Sequence, residues 1–249
     1  MIDSHCHLDD PRVDFETAVR SAQKWGVSGA IIPGYGPERW PRQNELLLSP
    51  GDFTLWGGFG IHPWALRPEQ NLHDVTTTLH QGLKRYASIW GERLVAIGEF
   101  GLDRSRAISE RLWELQKAVF TEHLKLAGQT QLPVILHLVK ADGEALKLLA
   151  CDPPPHGGVV HGFTSHAETV PRYAELGLFF GFGAGLLRYP KVRRALQATP
   201  LDRLLFETDD PLGTTNLEQI VQAASQILGK SVEYLRKQHS ENCVKVFKL

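Results

Sequence analysis

The sequence predicts a closed (β/α)8 TIM barrel, one domain spanning residues 1–249, with an additional C-terminal helix. Three observations carry this prediction. Strand-like runs alternate with longer amphipathic stretches, and eight such runs can be counted. The runs are nearly continuous in apolar residues, as parallel strands buried on both faces must be. The length of 249 residues is that of a single barrel of this class. An open, doubly wound sheet would use the same alternation, but the eightfold count and the length favour closure.

In chain order the strand-like runs are MIDSH at the start, VSGAIIPG (27–34), FTLWGGFGIH (53–62), RLVAIGEFGLD (93–103), LPVILHL (132–138), GGVVHGF (157–163), LGLFFGFGAG (176–185) and DRLLFETD (202–209). Between them lie helix-like segments such as RVDFETAVRSAQKWG and SERLWELQKAVFTEHLKLAGQT. In the second, Leu112, Leu115, Val119, Phe120, Leu124 and Leu126 recur close to helical spacing. Gly26 and Gly128 sit where helix ends are expected. The final SVEYLRKQHSENCVKVFKL reads as the extra helix, packed on the outside. No Ser/Gly linker, low-complexity tract or charge block divides the chain.

Composition narrows the function. With 42% hydrophobic and 22% charged residues and a formal net charge of −1, there is no global basic field to hold nucleic acid. Any such partner needs a local patch. Cys6, Cys151 and Cys243 are odd in number, widely spaced and form no CxxC pair, and no secretory signal precedes them. The apolar runs are strand-length, short of a membrane span. The expectation is a soluble cytoplasmic protein, with no membrane and no obligatory protein partner.

The polar residues at the strand ends are more specific. His5 and His7 end the first run, His62 the third, Glu99 and Asp103 the fourth. His137, His161 and the pair Glu207 and Asp209 end the fifth, sixth and eighth. Active sites of these barrels lie at that carboxyl-terminal rim. Taken singly, a histidine there is more often a hydrogen-bonded structural residue than a ligand, and Asp209 could merely cap the following helix. Glu99, in an apolar strand, needs a cation. Imidazoles and carboxylates from separate strands suit Zn²⁺, Mn²⁺ or Co²⁺ better than Ca²⁺. Four histidines and two carboxylates exceed one tetrahedral shell and suffice for two ions about 3.5–4 Å apart, sharing one carboxylate. Such a pair supports hydrolysis by activated water.

The motifs DSHCHLD, GEFGLD, LPVILH, VVHGF and FETDDP, in this order, resemble those of the TatD family of metal-dependent hydrolases, within the amidohydrolase superfamily. The resemblance runs from residue 3 to about 211, with a weaker echo in SENCVKVFKL. It implies a two-metal centre, with two divalent ions (Zn, Mn, Co or Mg), and a hydrolase often acting on DNA phosphodiesters. It further implies that His5, His7 and Asp209 bind the first ion, that Glu99 bridges both, and that His137 and His161 complete the second. Asp209 would also be the general base. Glu99 at this place resembles the TatD variant rather than the modified lysine of phosphotriesterases. GIHP at 60–63 is similar to the family's GxHP segment and makes His62 a substrate contact, with a structural turn as the alternative.

Arg104, Arg106, Lys140 and Arg188, just beyond strand ends, are candidate phosphate contacts, and Trp64 a candidate base-stacking residue. For each basic residue a solvated rim position is the competing reading. The chain departs from the family pattern in several places. Val139 stands where Arg or Lys usually follows the fifth-strand histidine by two, and Arg104 replaces an aromatic. Thr164 and Ser165 replace a small Ser-Gly pair, and the loop DDPLGTTNLEQI is short. Three functions follow. One is a deoxyribonuclease acting on DNA or another phosphate-containing substrate. The second is a small-molecule ester, amide or phosphate hydrolase of the same superfamily. The third is a non-catalytic protein that keeps a structural metal, which the complete ligand set disfavours. Alternation along the first run sets His5 and His7 on one face and turns Cys6 away as a buried filler.

Overall fold

The computed structural model describes residues 1–209 and 216–249, so the short loop read after Asp209 lies largely outside the described residues. The first half of the barrel comprises β1 (Ile2–Asp3), α1 (Phe15–Lys24), β2 (Gly29–Ile32), α2 (Trp40–Leu48), β3 (Thr54–Phe59), α3 (Leu72–Trp90), β4 (Leu94–Asp103) and α4 (Glu110–Thr130). The second half comprises β5 (Val134–Val139), α5 (Asp142–Cys151), β6 (Gly158–Val160), α6 (Val170–Glu175), β7 (Leu178–Phe182), α7 (Gly185–Arg188), α8 (Pro190–Ala198), β8 (Leu204–Phe206) and α9 (Leu217–Leu228). A last helix, α10 (Val232–Phe247), follows. Each strand pairs in parallel with its sequence neighbour, in the order β1 to β8.

The seam between β8 and β1 is closed by individual hydrogen bonds rather than a ladder. Ser4 N and Oγ donate to the Phe206 carbonyl at 3.3 and 2.9 Å, and Asp209 N donates to His5 O at 3.0 Å. Thr208 Oγ1 donates to Asp3 Oδ2 at 2.6 Å. The result is the nearly closed (β/α)8 barrel that the alternating sequence predicts.

Helix starts follow their capping residues. Asp14, Asn71, Ser109, Asn216 and Ser231 each accept a first-turn backbone N–H, and Asn216 with Gln219 forms a capping box. Gly26 takes a positive φ of 72° just beyond α1, as expected of a helix stop. Gly128 does not end its helix. α4 continues to Thr130 and stops at Gln131, which adopts the left-handed conformation two residues before Pro133.

Two apolar layers result from the period-two alternation of the strands. Ala30, Ile32, Leu136, Val160, Phe180 and Phe206 pack outward against helix residues such as Leu79, Phe120, Leu149 and Ile220. Ile31, Ala96, Ile135, Val159, Phe179 and Leu205 form a second cluster with Cys243, Val246 and Phe247 of α10. The last helix therefore does more than lie on the outside. Its apolar residues seal the end of the barrel at which the strands begin, because that mouth would otherwise leave the inward-facing aliphatic layer in water.

His239 anchors this plug. It is fully buried, its Nδ1 accepts from Phe206 N at 3.1 Å, and its Nε2 donates to Ile2 O at 2.7 Å. Burial pushes its pKa down to about 4, so the ring is neutral and satisfies β8 and β1 together. Replacing His239 by alanine strands a backbone donor and a backbone acceptor in the core. The expected loss is about 3 kcal/mol of unfolding free energy, measured by urea denaturation. Wild-type stability in the variant would show that the ring does not tie the seam.

Candidate metal centre

Residues two positions further along the inward face place the site. Ile135, Val159 and Leu205 line the barrel below, and His137, His161 and Glu207 rise above them at the carboxyl-terminal rim. β1 ends at Asp3, and the chain bends at Ser4 and His5. Even so, His5 and His7 turn to the same interior while Cys6 packs in the outer layer.

Glu99, buried in β4, is the hub of this arrangement. Its two oxygens face different groups. Oε2 lies 3.1 Å from His5 Nε2 and 3.3 Å from His7 Nε2. Oε1 lies 2.7 Å from His161 Nε2, 2.9 Å from His137 Nδ1 and 3.2 Å from His62 Nε2. Asp209 Oδ1 stands 3.7 Å from His5 Nε2 and 3.9 Å from His7 Nε2, on the side of the first group. Among the described residues, three donor sets thus gather with their ligand atoms within 4.8 Å of one another: His5, His7 and Asp209; His5, Glu99 and His161; and His62, Glu99 and His137.

The polar atoms of this centre fit a cation. Both ring nitrogens of His5 and Oε2 of Glu99 are buried without a hydrogen-bond partner, although His5 Nε2 and Glu99 Oε2 are close together. Atoms so placed, close but lacking hydrogen-bond alignment, are what a shared metal ion satisfies. The outer nitrogens of three imidazoles also meet carboxylates. His7 Nδ1 is 3.7 Å from Asp9, His137 Nε2 is 3.3 Å from Asp103, and His161 Nδ1 is 3.5 Å from Glu207. The His137–Asp103 contact is a hydrogen bond and orients that ring, while the longer contacts of His7 and His161 place a carboxylate where it raises the ring's basicity. Gly162 N donates to Glu207 in turn, and the missing Cβ of Gly181 leaves room for that carboxylate.

Electrostatics point the same way. Burial opposes the charge on Glu99, but the imidazoles of His161, His62 and His5 override it and hold the carboxyl well below its usual range. Burial likewise opposes a charged His7, yet Asp9 and Glu99 together lift it to about 10. His161 is raised well above its ordinary value against the same opposition, by Glu99 and Glu207. His137 is raised as well, by Asp103 and Glu99 against its burial, so three rings are drawn toward a positive state by buried carboxylates, and a divalent ion replacing those protons would meet the same field.

His62 differs from the other four rings. Its Nδ1 accepts the backbone N–H of Trp64 at 2.9 Å, and burial pushes its pKa down to about 3, as it pushes that of His5 to about 4. A neutral ring whose Nδ1 accepts carries its proton on Nε2, so His62 presents a proton rather than a lone pair to His137 Nδ1, 3.2 Å away, and to Glu99 Oε1 beside it.

Comparison with known proteins matches this geometry. The family described as TatD related DNase matches residues 2–248. The chain belongs to the TatD family. An uncharacterized metal-dependent hydrolase of Escherichia coli K12, YjjV, is 34% identical over 84% of this chain and 79% of its own. A 3'-5' ssDNA/RNA exonuclease TatD of Rahnella is 34% identical over 78% of this chain and 71% of its own. The crystal structure of the E. coli YjjV protein superposes with a TM-score of 0.86 at 27% identity, covering 100% of this chain and 98% of that one.

Within this TatD-family barrel, His5, His7, His137, His161 and Asp209 gather around Glu99, with Asp103 and Glu207 on the outer sides of His137 and His161. His62, 3% exposed, lines the metal cleft. Trp64 stands beside His137, donates Nε1 to Asp103 Oδ2 at 2.7 Å, and carries the Arg106 guanidinium 4.6 Å from its ring centroid. Arg188 lines a neighbouring cleft with Thr208 and Asp209. Two expected substrate contacts are not brought to the metal cleft. Arg104 is held between Trp113, 4.9 Å away, and Glu110, 3.4 Å away, and Lys140 is exposed beyond β5. The charge-bearing rim instead includes Asp10, Arg12, Tyr35 and Arg39, which line a cleft of ≈ 260 Å³ with His7, His62, Glu99, His137, His161 and Asp209. In the sequence their only signal is position. They sit in the loops after the first and second strands, on the rim where barrel active sites are built.

Proposed function

We propose that this TatD-family hydrolase is a two-metal phosphodiesterase that cleaves DNA. The division of Glu99 between two sets of imidazoles carries the reading, because one carboxylate facing two donor sets suits two ions. His5, His7, Asp209 and Glu99 would hold the first ion, and Glu99, His137 and His161 the second. The mutual spacings of 2.7, 2.9 and 3.1 Å among Glu99 Oε1, His161 Nε2 and His137 Nδ1 support the second set. Two divalent ions (Zn²⁺, Mn²⁺, Co²⁺ or Mg²⁺) would supply an acidified water and neutralise charge on the attacking and leaving oxygens.

The protein's own groups then divide the work. Asp209 is the general base. Its side chain is 43% exposed, so it meets both solvent and the buried centre, as an acceptor of the water proton must. His62, through the proton on Nε2, would orient His137 and Glu99 Oε1, each 3.2 Å away. Asp103, Glu207 and Asp9 hold the rings of His137, His161 and His7. A cytoplasmic setting and independence of an obligatory protein partner belong to the same proposal, the cysteine pattern supporting the first. No helix among the described residues is long and apolar enough to cross a membrane.

The test is a screen of protein loaded separately with Mg²⁺, Mn²⁺, Co²⁺ or Zn²⁺ against single-stranded oligonucleotides, with Asp209→Asn as the control. Wild type should cut with at least one metal, and the variant should lose on the order of a hundredfold or more in kcat. A wild type that cuts none of them but hydrolyses small esters, amides or phosphate compounds would replace DNA with a small-molecule substrate.

A further inference from the structure

A cationic group sits on the rim of the metal cleft and takes no part in the chemistry above. Asp10 follows the ligand-bearing His7 by three residues, and its side chain is 3% exposed. Arg12 grips it with both Nε, at 2.8 Å, and Nη2, at 2.9 Å. Arg39, from the loop between β2 and α2, reaches the same carboxylate with Nη2 at 3.0 Å. The Arg39 guanidinium also lies 3.8 Å over the Tyr35 ring, and Tyr35 stacks on His62 at 5.3 Å with the planes 6° apart. The order His62, Tyr35, Arg39 therefore runs from the buried centre outward to the rim.

The charges do not cancel. One carboxylate holds two guanidiniums, leaving a surplus positive charge beside the cleft. Arg39 is only 17% exposed, so much of its hydration is gone. A loop staple would need one arginine; the second is a partly desolvated cation with no anion of its own. Among the described residues no hydrogen bond uses Nη1 of either arginine, so both retain donors. A planar fork with free N–H groups facing a cleft is suited to a phosphate. The other basic candidates do not compete for this place: Arg104 is tied to Glu110, and Arg106, Lys140 and Arg188 do not line the cleft.

We propose that Arg12 and Arg39, gathered on Asp10 and braced by Tyr35, form a subsite for a second phosphate group of the substrate, next to the one that is cleaved. The inference rests on the phosphodiesterase reading of the metal centre. It makes the preferred substrate one that carries at least two phosphates, the second being either an internal linkage or a terminal phosphate.

Two measurements test it, on Arg39→Gln and on Arg12→Gln, whose side chain is 66% exposed and whose replacement leaves the core untouched. The first compares kcat/KM for the dinucleotide TpT, its terminally phosphorylated form pTpT, the trinucleotide TpTpT and bis(4-nitrophenyl) phosphate. In wild type, substrates with a second phosphate should be preferred. In either variant the preference over bis(4-nitrophenyl) phosphate should fall about tenfold through KM. A larger fall for pTpT assigns the subsite to a terminal phosphate, and a larger fall for TpTpT to an internal one. The second measurement is anisotropy of a labelled single-stranded oligonucleotide in EDTA, where no cleavage occurs. Each variant should bind more weakly, with a log–log salt slope smaller by about 0.7. Unchanged preference and unchanged slope in both variants would overturn the subsite. A wild type that binds the oligonucleotide through the arginines but never cleaves it would instead sink the nuclease reading and leave the subsite standing.

Discussion

Replacing Glu99 by alanine is expected, on the proposed two-ion arrangement, to leave at most one bound ion per chain and to lower hydrolysis on the order of a thousandfold or more. The magnitude follows from the several kcal/mol that metal ions contribute to stabilising charge in such transition states. The cause is local. Among the described residues, Glu99 is the one carboxylate whose oxygens meet both sets of imidazoles, with Oε2 near His5 and His7 and Oε1 near His137, His161 and His62. Without it, His7 and His161 lose partners that favour their charged forms, and the remaining nitrogens have no common anion. Metal analysis of the purified variant reads stoichiometry, and the isosteric Glu99→Gln separates loss of charge from loss of volume. A Glu99→Ala protein that retains two ions and wild-type turnover would overturn the bridging role.

Gly101→Ala is expected to cost about 3 kcal/mol or more of folding stability, or to prevent folding. Gly101 and His137 are register partners across β4 and β5. A Cβ on Gly101 would collide with the His137 carbonyl and its neighbouring backbone atoms, which cannot rotate away as a side chain can. The two central strands would have to separate where His137 leaves β5, so any folded fraction should also bind metal poorly. Gly128→Ala is the control. On α4 an added Cβ there meets only Pro155 Cγ at 4.0 Å, and the same change should raise stability by up to about 1 kcal/mol. Thermal denaturation of the pair reads both. A Gly101→Ala protein as stable as wild type would show that β4 and β5 can part at no cost.

Much of the centre was legible because a parallel barrel strand is a simple geometric device. Once LPVILHL, VVHGF and FETD are read as strands, alternation and the common direction of the chain carry His137, His161, Glu207 and Asp209 to one rim. Glu99 was legible as a charge that an apolar strand cannot bury alone. Arg104 and Lys140 were placed by the same rule and did not reach the cleft. They lie past the ladder, where a side chain follows local contacts such as Trp113 and Glu110 rather than the strand period. The outside position expected for the last helix was incomplete for a related reason. Amphipathic spacing says that α10 has an apolar face, but not that the open mouth of the barrel is the surface awaiting it.

The sequence by itself determined the barrel, its strand order and the six residues that ring Glu99 or stand beside it, because periodicity and chain direction are local properties. Tertiary structure decided the rest. It set Glu99 Oε1 and Oε2 toward different imidazoles, drew His62 inward as a donor, and placed Asp9, Asp103 and Glu207 behind three of the rings. It also brought Arg12 and Arg39, 27 positions apart in the sequence, onto one buried carboxylate. Their loops have no period to read. The physical reason is that a loop side chain goes where charge and burial are best satisfied, and that depends on contacts made only when the barrel closes.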